Sequence, residues 1–253
     1  MKSREFTAGE FVTNLDVRIP EDEEIITGLE GIFYANREDN RTLNYSMVAY
    51  DILERLKPSK QDSILEVCCG SGQLAHFLYQ ISANDNIVAT DGSPELIQAA
   101  QERYEHNSVK FETHDIYEHP YKRRNRIVVC KDSFHHFKDP VKAIKSLLGL
   151  VSSDGVLYIY DLARECPANQ IEKRLATMQN PHEQERFLKS INATFTDEEM
   201  TTIFKEAEAN KFNAIYPLRF SERNLSHHAK EIENDETKEH LLDKLSRIYL
   251  ISP

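Results

Sequence analysis

The sequence predicts an α/β fold built on a mostly parallel, doubly wound sheet. Short apolar segments of strand length alternate with longer segments of helical period, which is typical of parallel strands joined by helical crossovers. Two of the apolar segments end in an acidic residue, Asp91 and Asp161, and another leads into a turn that contains Gly70 and Gly72. We therefore expect helices on both faces of the sheet.

A helix is predicted ahead of the first strand. Residues 44–56 have amphipathic spacing, and Pro58 stops the pattern. Residues 25–36 mix apolar and aromatic side chains, and they follow an acidic stretch at residues 20–24 that we expect to form an exposed turn or a helix start. Residues 1–43 are therefore interpreted as a distinct N-terminal segment.

The first strand, residues 63–67, leads through a turn of small residues into a helix that reaches Leu78. Glycines such as Gly70 and Gly72 let the backbone approach a ligand closely. The start of the helix presents free N–H groups and the positive end of the helix dipole. This arrangement predicts a nucleotide-binding site.

The next two strands also end in acidic residues. Residues 86–91 end at Asp91, whose carboxylate can accept hydrogen bonds from both hydroxyls of a ribose. Residues 109–115 end at Asp115, and a carboxylate beside the backbone N–H of Ile116 suits the amine and ring nitrogen of adenine. The predicted ligand therefore carries a ribose and an adenine.

Dinucleotides and S-adenosylmethionine both fit that description, and two residues discriminate between them. Glu66 lies in the strand end, where a dinucleotide-binding turn has small or apolar residues. Cys68 replaces the first glycine of the G-x-G-x-x-G pattern. Both residues favour S-adenosylmethionine, while a nicotinamide-dependent oxidoreductase stays an alternative.

The remaining elements follow in order. Residues 126–132 form a fourth strand, a helix over residues 141–150 follows, and a turn at Gly155 leads into a fifth strand over residues 156–161. A long helical insertion is predicted over residues 166–194. Insertions at this point lie above the carboxyl ends of the strands, so we expect it to shape an acceptor pocket.

The end of the chain supplies a helix and one or two further strands. A capping box at residues 196–199 opens the helix, and residues 211–216 form a sixth strand. Either residues 219–225 or residues 247–251 can supply a seventh. The sequence alone leaves both alternatives open.

Taken in order, residues 44 to 215 resemble the class I S-adenosylmethionine-dependent methyltransferase family, in its branch of free-standing small-molecule enzymes. The resemblance implies a Rossmann-like sheet of seven strands, with S-adenosylmethionine as the cofactor. It also implies a division into four parts: an N-terminal helical lid (1–43), a cofactor-binding core (44–165), a helical insertion (166–195) and the C-terminal part of the core with its tail (196–253). Cys68 departs from the family, which usually has glycine there.

The resemblance also assigns roles to individual residues. The loop from Glu66 to Gly72 would surround the methionine portion, Asp91 would bind the ribose, and Asp115 with Ile116 would face the adenine. The implied cofactor-binding residues lie at strand ends, in the turns after them or in the lid, and they are Tyr34, Arg41, Glu66, Cys68, Gly70, Gly72, Asp91, Gly92, Ser93, Asp115, Ile116 and Lys131.

The lid has two interpretations. In this branch an N-terminal segment often folds over the cofactor, where an aromatic such as Tyr34 would cover the sulfonium methyl and Arg41 would bind the methionine carboxylate. Alternatively, Phe33, Tyr34 and Tyr45 pack the N-terminal helix onto the domain.

In methyl transfer the side chains mainly have to position the reactants. Many acceptors must also lose a proton. His135 and His136 follow the fourth strand at the mouth of the expected site, and histidine titrates near neutrality. They are the candidate catalytic bases, with a structural role in the loop as the alternative. Asp161 is placed to orient the acceptor or a base.

Composition narrows the function further. The formal net charge of −11 argues against a nucleic-acid partner, and the four cysteines show no metal-binding or secreted spacing. No apolar run reaches the roughly 20 residues of a membrane span. We therefore expect a cytoplasmic enzyme whose partner is a small-molecule methyl acceptor.

We expect no metal ion, since Asp132 and Asp161 are the one obvious pair of carboxylates at the mouth and a third ligand is missing. The expected reaction moves a methyl group to an oxygen, nitrogen or carbon atom of a small molecule in natural-product biosynthesis. Because Cys68 replaces a family glycine, a protein that binds S-adenosylmethionine without methylating remains an alternative.

Overall fold

A computed structural model describes residues 4–36, 42–118, 124–178, 180–209, 211–215 and 245–253. Arg41 and residues 219–225, named in two of the expectations above, lie outside these ranges. In chain order the helices and strands are β1 (Glu5–Ala8), β2 (Phe11–Asn14), α1 (Gly28–Asn36), α2 (Thr42–Leu56), β3 (Ile64–Val67), α3 (Gln73–Ser82), β4 (Ile87–Asp91), α4 (Pro94–Arg103), β5 (Lys110–Thr113), β6 (Asn125–Lys131), α5 (Pro140–Gly149), β7 (Val151–Leu162), α6 (Ala168–Ala176), α7 (Pro181–Ala193), α8 (Asp197–Glu206), β8 (Lys211–Ile215) and β9 (Ser246–Ser252).

Seven of the strands form one sheet in the order β5-β4-β3-β6-β7-β9-β8. The five strands from β5 to β7 pair in parallel, whereas β9 is antiparallel to both β7 and β8. Every residue of β3 and of β4 is buried, as expected for parallel strands covered on both faces. The predicted mostly parallel sheet is confirmed.

Helices cover both faces of this sheet. On one face α2, α3 and α4 bury side chains such as Ile52, Leu74 and Ile97. On the other face α5 and α8 bury Ile144 and Phe204. Burying a large apolar side chain stabilises the fold by roughly 1.5–3 kcal/mol relative to exposure, so the two clusters hold the doubly wound arrangement together.

The terminal segment supplies the antiparallel strand that the sequence left open. In β9, Ile248 packs into the cluster under α2 and α3, while Tyr249 and Ile251 pack into the cluster under α5 and α8. Successive side chains of a strand point to opposite faces, so this alternation places β9 between two covered faces. Of the two alternatives, residues 247–251 therefore contribute a strand to the sheet.

The N-terminal segment is not entirely helical, and in this respect the prediction of a helical lid is wrong. β1 and β2 form an antiparallel hairpin in which Ala8 pairs with Phe11. Gly9 has a φ of +61° in the two-residue turn, where such hairpins favour glycine. The sequence signal for a strand there is the alternation of polar Glu5 and Thr7 with apolar Phe6 and Ala8, and the structure buries the two apolar residues.

The hairpin packs on the helical insertion, which is present as α6 and α7. Phe6 and Leu15 share a third apolar cluster with Ile171 of α6 and Leu188 of α7. The two segments are far apart in sequence but bury each other's apolar surface. None of the helices in the described ranges has the length and apolar character needed to cross a membrane.

Candidate functional site

The carboxyl ends of the central strands open into a cavity of about 520 Å³. The strand order reverses between β3 and β6, and ligands of open α/β sheets bind at this point. The N-terminal segment contributes Ile25 to the wall, and the insertion contributes Arg174 and Arg186. The cavity is therefore bounded by the sheet, the N-terminal segment and the insertion.

The loop after β3 has an unusual backbone. Gly70 and Gly72 have φ values of +55° and +83°, and Cys68 has a φ of +53°. A Cβ at Gly72 would lie 2.6 Å from the ring of Phe111, so glycine is required there for packing as well as for its backbone angles. Cys68 carries a Cβ in the left-handed region, which costs about 1 kcal/mol for an L-residue.

Asp91 ties this loop to the end of β4. Its Oδ2 accepts a hydrogen bond from the backbone N–H of Gly70 at 2.8 Å, and its Oδ1 accepts one from the N–H of Ser93 at 2.9 Å. Burial raises the pKa of the Asp91 carboxyl, against the lowering effect of these two hydrogen bonds. The carboxyl is therefore held in one orientation at the cavity wall.

Glu66 is buried at the end of β3, and its Oε2 has no hydrogen-bond partner. Burial raises the pKa of Glu66 to about 8, although the backbone N–H of Ala75 and the ammonium of Lys131 oppose the shift. An unpartnered buried carboxyl oxygen is costly. It marks a position where a cationic or hydrogen-bonding group from a ligand would be stabilised.

Lys131 is a buried cation at the end of β6. Its ammonium forms an ion pair with Asp132 and lies 3.9 Å from the centre of the Tyr45 ring. The ring centre of Tyr160 lies 5.3 Å from the same ammonium. The ion pair and the two aromatic rings compensate for the burial of this charge.

His135 lies in a single 3₁₀ turn after β6 and is held by Asp161 at the end of β7. The backbone N–H of His135 donates to Oδ2 of Asp161 at 2.8 Å, and its Nδ1 lies 2.7 Å from Oδ1. Burial lowers the pKa of His135, but the adjacent Asp161 outweighs this effect and the pKa is raised overall. Nε2 of His135 is buried without a hydrogen-bond partner.

His136 and Glu21 meet beside His135. Nδ1 of His136 lies 3.0 Å from Oε2 of Glu21, and Nε2 of His135 lies 4.0 Å from Oε1. Ser190 of α7 donates a hydrogen bond to Oε1 of Glu21 at 2.9 Å. Burial raises the pKa of Glu21, yet the two histidines lower it more strongly, to about 2. Two imidazoles and one carboxylate therefore converge at this point.

The structure brings most of the predicted site residues together. Gly72 and Ser93 do not line the cavity, because Gly72 packs against Phe111 and Ser93 caps α4 by accepting a hydrogen bond from the N–H of Leu96. Arg41 and the side chain of Tyr34 lie outside the described part. The predicted residues that line the cavity are Glu66, Cys68, Gly70, Asp91, Gly92, Asp115, Ile116, Lys131, His135 and His136.

Sequence reasoning missed Glu21. It lies in the acidic stretch that was expected to form an exposed turn or a helix start, and nothing in its spacing links it to residues more than a hundred positions away. Only the fold, in which Arg18 donates a hydrogen bond to the carbonyl of His135 at 3.3 Å, brings this stretch to the histidines.

Known proteins resemble the chain in sequence and in fold. A family model described as a methyltransferase domain matches residues 58–216. A malonyl-[acyl-carrier protein] O-methyltransferase from Acetivibrio thermocellus is 32% identical over 107 residues, which are 42% of this chain. The match spans 38% of that relative.

Two solved structures share the fold. The plantazolicin methyltransferase BpumL in complex with SAH superposes with a TM-score of 0.62 at 23% identity, covering 87% of each chain. BamL in complex with a triazolic desmethylPZN analog and SAH gives a TM-score of 0.65 at 21% identity, covering 87% of this chain and 88% of that one. Since the family model covers more than half of the sequence, the chain belongs to the methyltransferase domain family, within the class I S-adenosylmethionine-dependent methyltransferases.

Proposed function

We propose that this protein transfers the methyl group of S-adenosylmethionine to a small molecule held in the cavity at the strand ends. The observation that carries the proposal is the unpartnered, buried Oε2 of Glu66 in the same cavity wall as Asp91. The Glu66 carboxyl oxygen suits the ammonium of the methionine portion, and the Asp91 carboxylate suits the hydroxyls of the ribose.

The residues present fit this cofactor. Glu66 would hold the ammonium, Asp91 would accept hydrogen bonds from the ribose hydroxyls, and Asp115 with Ile116 would lie beside the adenine. Asp115 is fixed for this role, because its Oδ1 accepts a hydrogen bond from the N–H of Tyr117 at 2.9 Å. Gly70 contributes backbone without a side chain, and an added Cβ there would meet nothing within 4 Å, which leaves space for a ligand.

The N-terminal segment and the insertion would enclose the acceptor. The side chain of Ile25 packs against Gly92. An added Cβ at Gly92 would lie 2.8 Å from Cδ1 of Ile25. The backbone N–H of Gly28 donates to Oε1 of Glu95 in α4 at 2.9 Å, so the start of α1 is tied to the core. Tyr34 and Arg41, in the part of the segment that follows, stay our candidates for closing over the cofactor.

The acceptor is proposed to be a small molecule of natural-product biosynthesis, methylated on oxygen, nitrogen or carbon. The neighbours support this class by their names, which describe methyltransferases of plantazolicin and a polyketide synthase CMeT domain. The insertion supports it physically, because Arg174 of α6, Phe187 of α7 and Met178 between these helices line the cavity wall. Such a mixture of cationic and apolar side chains suits a compact, partly polar molecule.

The chemistry divides between the cofactor and the chain. The sulfonium supplies an activated methyl group, and the chain has to hold the acceptor in line with it. Where the acceptor must lose a proton, His135 or His136 stays our candidate for taking it. Asp161 would fix the orientation of His135 for that step.

The proposal is tested by calorimetric titration with S-adenosylmethionine, SAH and a nicotinamide dinucleotide in parallel. We expect micromolar binding of the two sulfur ligands and none of the dinucleotide. Asp91→Asn should weaken that binding roughly ten- to a hundredfold, because a charged acceptor of hydrogen bonds is worth about 1.5–3 kcal/mol. Absence of binding by the sulfur ligands would overturn the proposal.

The backbone angle of Cys68 favours a second candidate, a protein that binds S-adenosylmethionine without methylating. A non-glycine residue at a left-handed angle places backbone strain in the loop that would surround the methionine portion. SAH production with a panel of small hydroxyl, amine and acid acceptors separates the two candidates. Cofactor binding without turnover across the panel would favour the second.

A further inference from the structure

We propose that Glu21, His135 and His136 bind a divalent transition-metal ion. One potential ligand atom from each residue lies within 4.8 Å of the others. A carboxylate and two imidazoles are the ligand set of catalytic zinc sites and of non-haem iron sites. The three residues come from two distant parts of the chain, so the fold rather than local sequence assembles the cluster.

Each histidine of this cluster has one imidazole nitrogen on the side of Glu21. Nε2 of His135 and Nδ1 of His136 are both buried and have no hydrogen-bond partner. The side chain of His135 is only 3% exposed, so solvent does not satisfy its nitrogen. Buried polar atoms are nearly always hydrogen-bonded, and two that converge on one carboxylate indicate a ligand between them.

Asp161 holds His135 in the orientation of a metal ligand. Its Oδ1 lies 2.7 Å from Nδ1 of His135, so the neutral imidazole would donate its Nδ1–H to this carboxyl group and present the lone pair of Nε2 toward Glu21. Metal-binding histidines almost always donate their second N–H to a carboxylate, a carbonyl or water. The backbone N–H of His135 also donates to Asp161, which fixes the ring further.

Glu21 is held in place from the opposite side. Ser190 of α7 donates a hydrogen bond to its Oε1 at 2.9 Å. Arg18, three positions earlier, donates to the carbonyl of Ala193 and to the carbonyl of His135. The segment that carries Glu21 is therefore fixed both to the insertion and to the turn that carries the histidines.

An ion-paired cluster without a metal explains the geometry less well. The 4.0 Å between Nε2 of His135 and Oε1 of Glu21 exceeds a hydrogen bond. Only the pair of Nδ1 of His136 with Oε2 of Glu21, 3.0 Å apart, is close, and Nε2 of His135 would stay buried without a hydrogen bond. The expectation of a metal-free site considered Asp132 and Asp161, and here Asp161 supports a ligand instead of serving as one.

The ligand atoms select the kind of ion. Two nitrogens and a carboxylate favour zinc, iron or cobalt, whereas magnesium and calcium prefer oxygen ligands throughout. Three protein ligands leave at least one coordination position open. Because His135 and His136 line the cavity, an acceptor oxygen or nitrogen would take that position, a step that rests on the proposed function. With the ion bound the two imidazoles would serve as ligands and not as the base, and the ion would lower the pKa of the acceptor.

The site is tested with the full chain, freed of metal by chelation, and titrated calorimetrically with Zn²⁺, Co²⁺ and Mg²⁺. Neither cofactor nor acceptor is present, so the result does not depend on methyl transfer. We expect one Zn²⁺ per chain with a micromolar or lower Kd, and no comparable binding of Mg²⁺. Absence of stoichiometric Zn²⁺ binding, or a preference for Mg²⁺, would overturn the assignment.

Variants locate the ion. Glu21→Gln and His136→Asn change partly exposed residues and should fold, and each should weaken Zn²⁺ binding by more than about a hundredfold. Asp161→Asn should weaken it by about 10- to 100-fold, as loss of an outer-shell partner does. His182→Asn is the matched control, because His182 also lines the cavity but lies outside the cluster. Wild-type affinity in Glu21→Gln and His136→Asn would refute the site.

Discussion

The phenol of Tyr158, in the middle of β7, donates a hydrogen bond of 2.9 Å to the carboxylate of Asp51 on α2. Arg55 completes the group, since its Nε and Nη2 lie 3.0 and 2.6 Å from the two oxygens of Asp51. Asp51 is fully buried. A bidentate guanidinium and a phenol thus stabilise a buried charge where α2 crosses the sheet.

Removing Arg55 should destabilise the fold strongly. In Arg55→Met the Asp51 carboxylate is left buried without its counter-charge, which costs about 3–5 kcal/mol. Arg126→Met is the matched control, because its pair with Asp154 is exposed and 3.9 Å long and such pairs contribute about 0–1 kcal/mol. Urea unfolding of both variants measures the difference, and equal losses would contradict the assigned network.

Cys68→Gly should stabilise the protein by about 1 kcal/mol, because glycine adopts the observed φ of +53° without the cost of a Cβ. Cys68→Ala is the control, since it removes the thiol but keeps the Cβ. Thermal and urea unfolding of the two variants separate backbone strain from the loss of sulfur packing. An equal gain in the free energy of unfolding in Cys68→Ala and Cys68→Gly would show that the backbone at Cys68 is not strained.

Gly92→Ala should weaken cofactor binding with little loss of stability. The new Cβ would come within 2.8 Å of the end of the Ile25 side chain. Because Ile25 is partly exposed, its side chain and the N-terminal segment that carries it should move, while the sheet stays in place. Adding Ile25→Ala should restore the affinity. Calorimetry of the single and double variants tests this, with Gly149→Ala, where a Cβ meets nothing within 4 Å, as the control.

Glu66 should make both stability and cofactor binding depend on pH. Its pKa is raised from 4.5 to about 8 by burial, with Asp91 adding to the shift and Lys131 opposing it. The folded state therefore binds this proton more tightly than the unfolded state does. The contribution of Glu66 to the free energy of unfolding is largest below pH 4.5 and falls as pH rises to about 8. Glu66→Gln should remove that part of the pH dependence. If the free energy of unfolding of Glu66→Gln varies with pH as it does in the wild type, the raised pKa of Glu66 is contradicted.

Cofactor binding should also release a proton from Glu66 at pH 7, because the ammonium of the methionine portion stabilises the ionised carboxylate. Titrations in buffers of different ionisation enthalpy count the protons released. Glu66→Gln should release fewer protons than the wild type. An equal number in both proteins would remove Glu66 from the proposed ammonium contact.

Much of the fold follows from the sequence because the sheet is built from local signals. The parallel strands are continuous apolar runs, and the capping box at Thr196 and the pattern of the insertion are both readable over a few residues. The hairpin of β1 and β2 was missed because two strands of four residues each, joined by a turn with a single glycine, give a weak sequence pattern. The choice of β9 for the sheet depends on packing against both faces, which only tertiary structure supplies.

The candidate site shows the same division. Glu66, Asp91 and Asp115 are predicted because each ends a strand at the same edge of the sheet, and the structure places all three in one cavity wall. Glu21 was not predicted, because its position beside His136 depends on how the N-terminal segment crosses the insertion. Residues contributed by added segments have no fixed spacing from the core, so sequence periodicity does not reveal them.

The apolar cluster shared by the β1–β2 hairpin and the insertion has a consequence for engineering. Phe6 and Leu15 pack in one cluster with Ile171 and Leu188. The N-terminal segment and the insertion should therefore be transferred to another protein together. A chimera that takes the insertion alone would expose this surface, which favours aggregation. Exchange of acceptor specificity between relatives should therefore move residues 4–36 and 166–195 together.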